Sequence, residues 1–224
     1  MRALVIQHEP DIPGGHVDEW LDTRGIEREA LPIQADERGL DAAGYDLVVS
    51  LGSWHAAYED LPWIRREEAL LRSAHESGVP TLGICFGSQL LARALGGEAF
   101  RRAEPEVGWL EVRTNDESLV PPGPWLVWHF DSFAVPPGAR LLADTAASPQ
   151  AYALGRSLGI QFHVEVTLET TERWVRRCSD ELAEAGVDSQ RLVADTRERA
   201  AAARVSALRL FDAFLEAAVA HAPA

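Results

Sequence analysis

Lysine is absent from this chain: all 21 of its basic residues are arginine. That absence removes several kinds of chemistry. No protein lysine can form a Schiff base or anchor pyridoxal phosphate, and the Gly-rich, lysine-ended phosphate loop cannot exist. Basic charge is scarce overall, with 35 Asp and Glu against the arginines, a formal net charge of −14 and a pI near 4.9. Neutralising a nucleic acid or an anionic membrane needs a basic patch, so neither is expected as the main partner. Cysteine is nearly absent too. Cys85 and Cys178 are the two, and without an export signal they are expected as thiols, not a disulfide. The apolar run at the start, Ala3 to Ile6, is too short for a secretion signal. No run nears the roughly 20 apolar residues of a membrane span. A cytoplasmic, enzyme-sized protein is expected.

What is present is an ordinary globular composition, 46% hydrophobic and 25% charged. Its 224 residues fit one domain, 1–224, with a helical C-terminal extension over about 168–224. The first half alternates two periodicities. Strands are expected at Ala3–Gln7, Ile26–Ile33, Asp46–Leu51 and Val79–Ile84. Helices are expected at Val17–Arg24, Pro62–Ser77 and Ser88–Leu95, each closed by a glycine, the second opened by a proline. Nearly continuous apolar strands between helices indicate an open, mostly parallel, doubly wound α/β sheet covered on both faces.

From about Glu98 to Gln161 the pattern changes to short β runs separated by turns such as Pro121-Pro122-Gly123-Pro124 and Pro136-Pro137-Gly138. They form an antiparallel extension of the sheet or a flap beside it. After Thr167 the chain turns helical. In Ala200–Ala220, Val205, Leu208, Phe211, Leu215 and Val219 recur at three-and-four spacing and mark one apolar face. That face is expected to pack on its own domain; a homodimer or partner surface is the second reading.

The sharpest local feature is Thr81-Leu82-Gly83-Ile84-Cys85-Phe86-Gly87-Ser88-Gln89. A buried strand runs into Cys85, a helix starts just after it, and glycines lie two residues to either side. This is the nucleophile-elbow pattern with cysteine as the nucleophile. The tight turn leaves no room for side chains at the flanking positions. The helix start favours thiolate, the attacking form, and the Phe86 N–H can face an oxyanion. Cys178 has no such setting and is expected to be structural. A thiol nucleophile needs a base and a group to orient that base. His129-Phe130-Asp131 and His163-Val164-Glu165 both offer them, because residues two apart share one side of an extended chain. Spacing alone does not choose between them. His8, His16, His55, His75 and His221 lack a comparable partner and are expected at the surface.

Two separate segments, Gly83–Ala92 and Leu158–Glu165, together with the Asp46–Gly52 strand and Glu106-Val107-Gly108-Trp109, resemble the class I (triad) glutamine amidotransferases. The resemblance covers nearly the whole chain and is nearest to the stand-alone, GMP-synthase-like branch. It implies a flavodoxin-like sheet, with Cys85 as nucleophile, His163 as general base and acid, and Glu165 as the residue orienting His163. It further implies that Gln89 helps hold the substrate amino acid, and that Gly52 and Phe86 supply backbone donors for the oxyanion. His129 and Asp131 then belong to a segment lining the site. The family's reaction attacks a glutamine γ-amide, releases ammonia and hydrolyses a γ-glutamyl thioester, with no cofactor or metal. Val164 stands where the family usually has proline, Ser88 where it often has histidine, and no Gly-Gly-Pro run follows Gly52. Three functions follow as alternatives. One is a glutaminase feeding a separate synthase, which would also carry any ATP chemistry. Another is a hydrolase or peptidase of other γ-glutamyl compounds. The third is a non-catalytic binding or regulatory subunit.

Overall fold

The computed structural model describes residues 1–36 and 41–220. In chain order its first half contains β1 (Arg2–Gln7), α1 (His16–Thr23), β2 (Glu27–Pro32), a 3-10 turn at Ala42–Gly44, β3 (Leu47–Ser50), α2 (Pro62–Glu76), β4 (Thr81–Ile84) and α3 (Phe86–Ala94). The second half continues with β5 (Glu98–Leu110), β6 (Arg113–Thr114), β7 (Trp125–Ala134), β8 (Arg140–Asp144), β9 (Pro149–Leu154) and β10 (Ser157–Ile160). It ends in α4 (Leu168–Arg177), α5 (Ser179–Glu184) and α6 (Ser189–Ala220).

One sheet has the order β2-β1-β3-β4-β10-β9-β8-β6. The five strands from β2 to β10 are parallel, and β9, β8 and β6 continue it antiparallel. Every residue of β3, β4 and β10 is buried, as expected when helices cover both faces. Ala3, Val5, Val49 and Ile84 pack on one face with Trp20 of α1 and Leu210 and Phe211 of α6. Leu4, Ile6 and Val48 pack on the other with Leu71 of α2 and Leu90 of α3. Each fully buried side chain of this size contributes roughly 1.5–3 kcal/mol.

The alternatives for the middle segment are both realised. β6, β8 and β9 extend the main sheet, while β5 and β7 form a separate two-stranded ribbon. β5 is far longer than the short β runs expected here, since five of its first seven residues are exposed and carry no alternation of apolar residues. The apolar face expected on α6 is corrected as well. Val205 and Val219 are exposed, and the buried stripe is Ala207, Leu210, Phe211, Phe214 and Ala218. Phe211 belongs to both stripes. Leu208 and Leu215 of the expected stripe pack partly buried on the same core, so the seam is rotated from it by part of a turn, and the small Ala207 and Ala218 allow close approach. Among the described residues no helix is long and apolar enough to cross a membrane.

Candidate active site

β1, β3, β4 and β10 finish at the same edge of the sheet, and His8, Gly52, Cys85 and His163 follow those strand ends. In open α/β sheets the crevice beyond the carboxyl ends of the strands is the usual place for a ligand. Cys85 sits at φ 52°, ψ −110°, the only non-glycine residue with positive φ among the described residues. Such a conformation costs on the order of 1–3 kcal/mol and persists only where surrounding contacts impose it. Here its N–H donates to the Ile160 carbonyl at 2.8 Å, and its own carbonyl accepts from the N–H groups of Ser88 and Gln89 at 3.0 and 3.1 Å. The flanking glycines have no space to spare. A Cβ on Gly83 would lie 2.5 Å from the Gly87 carbonyl oxygen, and one on Gly87 would lie 2.3 Å from that of Ser50.

The two His-x-acid segments, equivalent in sequence, have different surroundings. His163 Nδ1 lies 2.7 Å from Glu165 Oε1, and its Nε2 lies 3.2 Å from the main-chain oxygen of Trp128. The same oxygen is 3.9 Å from Cys85 Sγ, which places the ring beside the thiol. The Trp174 ring stands edge-on to the imidazole, 4.9 Å between centroids. Burial alone would push the His163 pKa down. The charges of Glu165 and Cys85, and hydrogen bonds to both, outweigh it and hold the ring well above its ordinary value. Acceptors on both sides favour the doubly protonated ring.

His129 is held by the main-chain oxygen of Asp131, 2.7 Å from its Nδ1, not by that residue's carboxylate, which accepts from the Tyr58 hydroxyl at 3.0 Å. Its Nε2 faces Gln150 Nε2 at 3.3 Å and Glu106 Oε2 at 3.4 Å. Burial pushes its pKa down to about 4 despite Glu106, so this ring is neutral near pH 7.

A cavity of about 480 Å³ opens over the nucleophile. Gly52, Phe86 and Gln89 line it with Cys85 and His163, and so do His129 and Asp131. Gln89 Nε2 donates to the Asp131 main-chain oxygen at 3.2 Å and to Gln161 Oε1 at 3.1 Å, which joins the start of α3 to β7. A Cβ on Gly52 would lie 3.9 Å from Cys85 Cβ and 3.8 Å from His163 Cε1, so this loop passes close beside both side chains. No described residue accepts from the main-chain N–H of Gly52 or Phe86.

Three features were missed from sequence. His8 and His16 are buried, not at the surface. His8 lies just past the end of β1, two residues after the apolar run Ala3–Ile6, a signal available in the sequence. His221 lies outside the described residues. The far wall of the cavity comes from Trp174, Arg177, Cys178 and Glu181 at the α4–α5 junction, for which no local pattern exists. Both cysteines are free thiols, and burial together with Glu181 pushes the Cys178 pKa up to about 12. Cys178 is thus an unreactive part of the wall.

The family model for glutamine amidotransferase class-I matches residues 17–180. The glutamine amidotransferase-like protein YfeJ of Salmonella typhimurium is 30% identical over 208 residues, covering 83% of this chain and 84% of its own. The glutamine-hydrolysing GMP synthase of Aeropyrum pernix is 37% identical over 150 residues, covering 63% of this chain; the match spans 28% of the synthase's length. A crystal structure of a glutamine amidotransferase from Thermotoga maritima superposes with a TM-score of 0.87 at 26% identity, covering 96% of this chain and 98% of the other. With the elbow, the sheet order and these matches in agreement, the chain belongs to the class I glutamine amidotransferase family.

Proposed function

We propose that this protein hydrolyses the γ-amide of glutamine through a γ-glutamyl thioester on Cys85. The observation that carries the reading is the His163 ring, held by Glu165 at 2.7 Å and placed beside a thiol on a strained elbow. The Cys85 thiolate attacks the carbonyl carbon of the γ-amide, and the amide oxygen takes up negative charge beside main-chain N–H groups of the Gly52 loop and Phe86. The His163 Nε2–H then passes to the amide nitrogen, the C–N bond breaks and ammonia leaves. A water molecule, its proton taken by His163, attacks the thioester. Glutamate departs and the His163 proton accompanies the regenerated thiolate. Glu165 stays ionised and fixes the ring's orientation. Gln89 and the Asp131 segment hold the amino-acid end of the substrate.

The similarity to a GMP synthase supports delivery of the ammonia to a separate synthase, and the lack of lysine places ATP chemistry on that partner. The chain acts as one cytoplasmic domain in which α4 and α5 complete the cavity. A second substrate class, γ-glutamyl amines larger than ammonia, is favoured by one feature. Trp54, Trp174 and Arg177 also line the cavity and pack on one another, a wall that a released ammonia does not need.

Incubating the pure protein with glutamine and with γ-glutamyl dipeptides, and measuring ammonia, glutamate and released amine, tests both substrates. Turnover of either, abolished in Cys85→Ala and His163→Ala and retained in His129→Ala, is expected. No turnover, and no labelling of Cys85 by a glutamine-like electrophile, would leave a binding subunit as the remaining function.

A further inference from the structure

We propose that His8 is a positioning residue that clamps the Gly52–Ser53 peptide with its N–H turned toward the nucleophile; this rests on the reading of Cys85 as the attacking thiol. His8 has no part in the steps above, and it touches neither Cys85 nor His163. Its ring is fully buried, as is the carboxylate of Glu67. Nδ1 lies 2.9 Å from the Gly52 carbonyl oxygen. A carbonyl oxygen only accepts, so Nδ1 carries a hydrogen. Nε2 lies 2.7 Å from Glu67 Oε2, and Glu67 Oε1 accepts from the Ser50 hydroxyl at 2.6 Å. Phe86 and Trp63 wall the ring at 4.7 and 5.5 Å. Burial pulls the His8 pKa down, but Glu67 more than offsets it and the net shift is upward.

A buried charge pair is a poor device for stability alone, because apolar residues of similar volume usually serve as well or better. This one is aimed at a particular peptide. Gly52 and Ser53 line the cavity and His8 does not. The Gly52 carbonyl is therefore drawn away from the cavity into the protein. The Gly52–Ser53 bond is trans, since the sole cis peptide among the described residues is Gly123–Pro124. In a trans peptide the N–H points opposite to the carbonyl, so the Ser53 N–H faces the cavity side, as a donor additional to the Gly52 N–H that the resemblance implies. No described group accepts from it. The next turn is pinned as well: Ser53 Oγ donates to Glu9 Oε1 at 3.0 Å and accepts from the His55 N–H at 3.2 Å. Gly52 has no Cβ to restrain its backbone. Without the His8 bond the peptide can turn over, and a carbonyl oxygen would then face the developing oxyanion.

His8→Asn and His8→Gln separate this role from mere packing. Asparagine places an amide near Nδ1, where it can still donate to Gly52. Glutamine places its amide near Nε2 and keeps only Glu67. Two rates are compared: glutamine turnover, which passes through an oxyanion, and alkylation of Cys85 by iodoacetamide, which does not. For H8Q we expect kcat to fall about 10²-fold, the scale of one lost oxyanion donor. KM and the alkylation rate should stay within about threefold of wild type. H8N should keep kcat within about tenfold. Equal kcat in the two variants, or a matching fall in alkylation, overturns the proposal. The double variant H8Q/E67Q, which also removes the buried carboxylate, repeats the comparison if H8Q does not fold. Crystal structures of the variants decide the point even if wild type fails to hydrolyse glutamine, which would be a failure of the function reading alone. The Gly52–Ser53 peptide should be turned in H8Q and kept in H8N, and an unmoved peptide in H8Q refutes the clamp.

Discussion

Adding one methyl group at Gly87 should disable the site from outside it. The new Cβ would lie 2.3 Å from the Ser50 carbonyl oxygen, 2.5 Å from its hydroxyl oxygen and 2.7 Å from its carbonyl carbon. Ordinary C···O contacts are about 3.3–3.6 Å, so the start of α3 and the end of β3 must separate by about 1 Å. Neither can yield easily. Ser50 is in the middle of the sheet and tied to Glu67, and the Gly87 N–H donates to the Leu51 carbonyl at 3.0 Å. Forced overpacking of this kind costs about 1–3 kcal/mol. For a chain of this size each kcal/mol lowers Tm by about 2–4 °C, a total of about 2–12 °C. Activity should fall further than stability suggests, because Cys85 rides on the displaced helix start. A misplacement of about 1 Å can cost about 10²-fold in rate. Calorimetry and a glutaminase assay on Gly87→Ala read both quantities. Wild-type turnover with unchanged Tm would refute the steric account of the elbow.

Two further perturbations address the histidines. In Glu165→Gln the carboxylate that raises the His163 pKa is neutralised, so the ring should titrate at lower pH by NMR. Turnover should fall by on the order of 10⁴-fold, as when other triads lose this charge; an unchanged His163 titration would mean that Glu165 does not control the ring. His129→Gln tests acid stability. The folded-state pKa of about 4 lies below the ordinary value of about 6.5. The stability tied to the neutral ring is therefore complete above pH 6.5 and is lost as pH falls toward 4. It amounts to up to about 3 kcal/mol. The variant should lose less stability than wild type between pH 6.5 and 4 in urea titrations, and parallel curves would contradict the assignment.

The parallel sheet was legible because its strands advertise themselves. Leu47-Val48-Val49 and Leu82-Gly83-Ile84 are apolar on both faces, and glycine or proline marks where each neighbouring helix starts or stops. The elbow was legible for the same reason: its constraint is local, and Gly83, Cys85 and Gly87 meet it within five consecutive residues. Choosing His163 over His129 was beyond local reading, because both present a carboxylate two residues on. Their environments differ through strand pairing. β7 turns the Asp131 carboxylate toward Tyr58, while the turn after β10 leaves Glu165 against its own histidine.

The least legible parts are polar groups buried by partners far along the chain. His8 meets Glu67 across 59 residues and Gly52 across 44; Glu106 meets Thr145 across 39. A hydrophobic run reports its burial through its own composition. A buried histidine or glutamate is stable only through a partner that the fold brings to it, so single-sequence reading places it by default at the surface. His8 is the exception that could have been found. It follows the end of β1 at Gln7, at the same edge of the sheet as Cys85 and His163, and in a parallel sheet that edge faces the ligand. A polar residue just past the apolar run of such a strand is therefore better read as buried near the site than as surface.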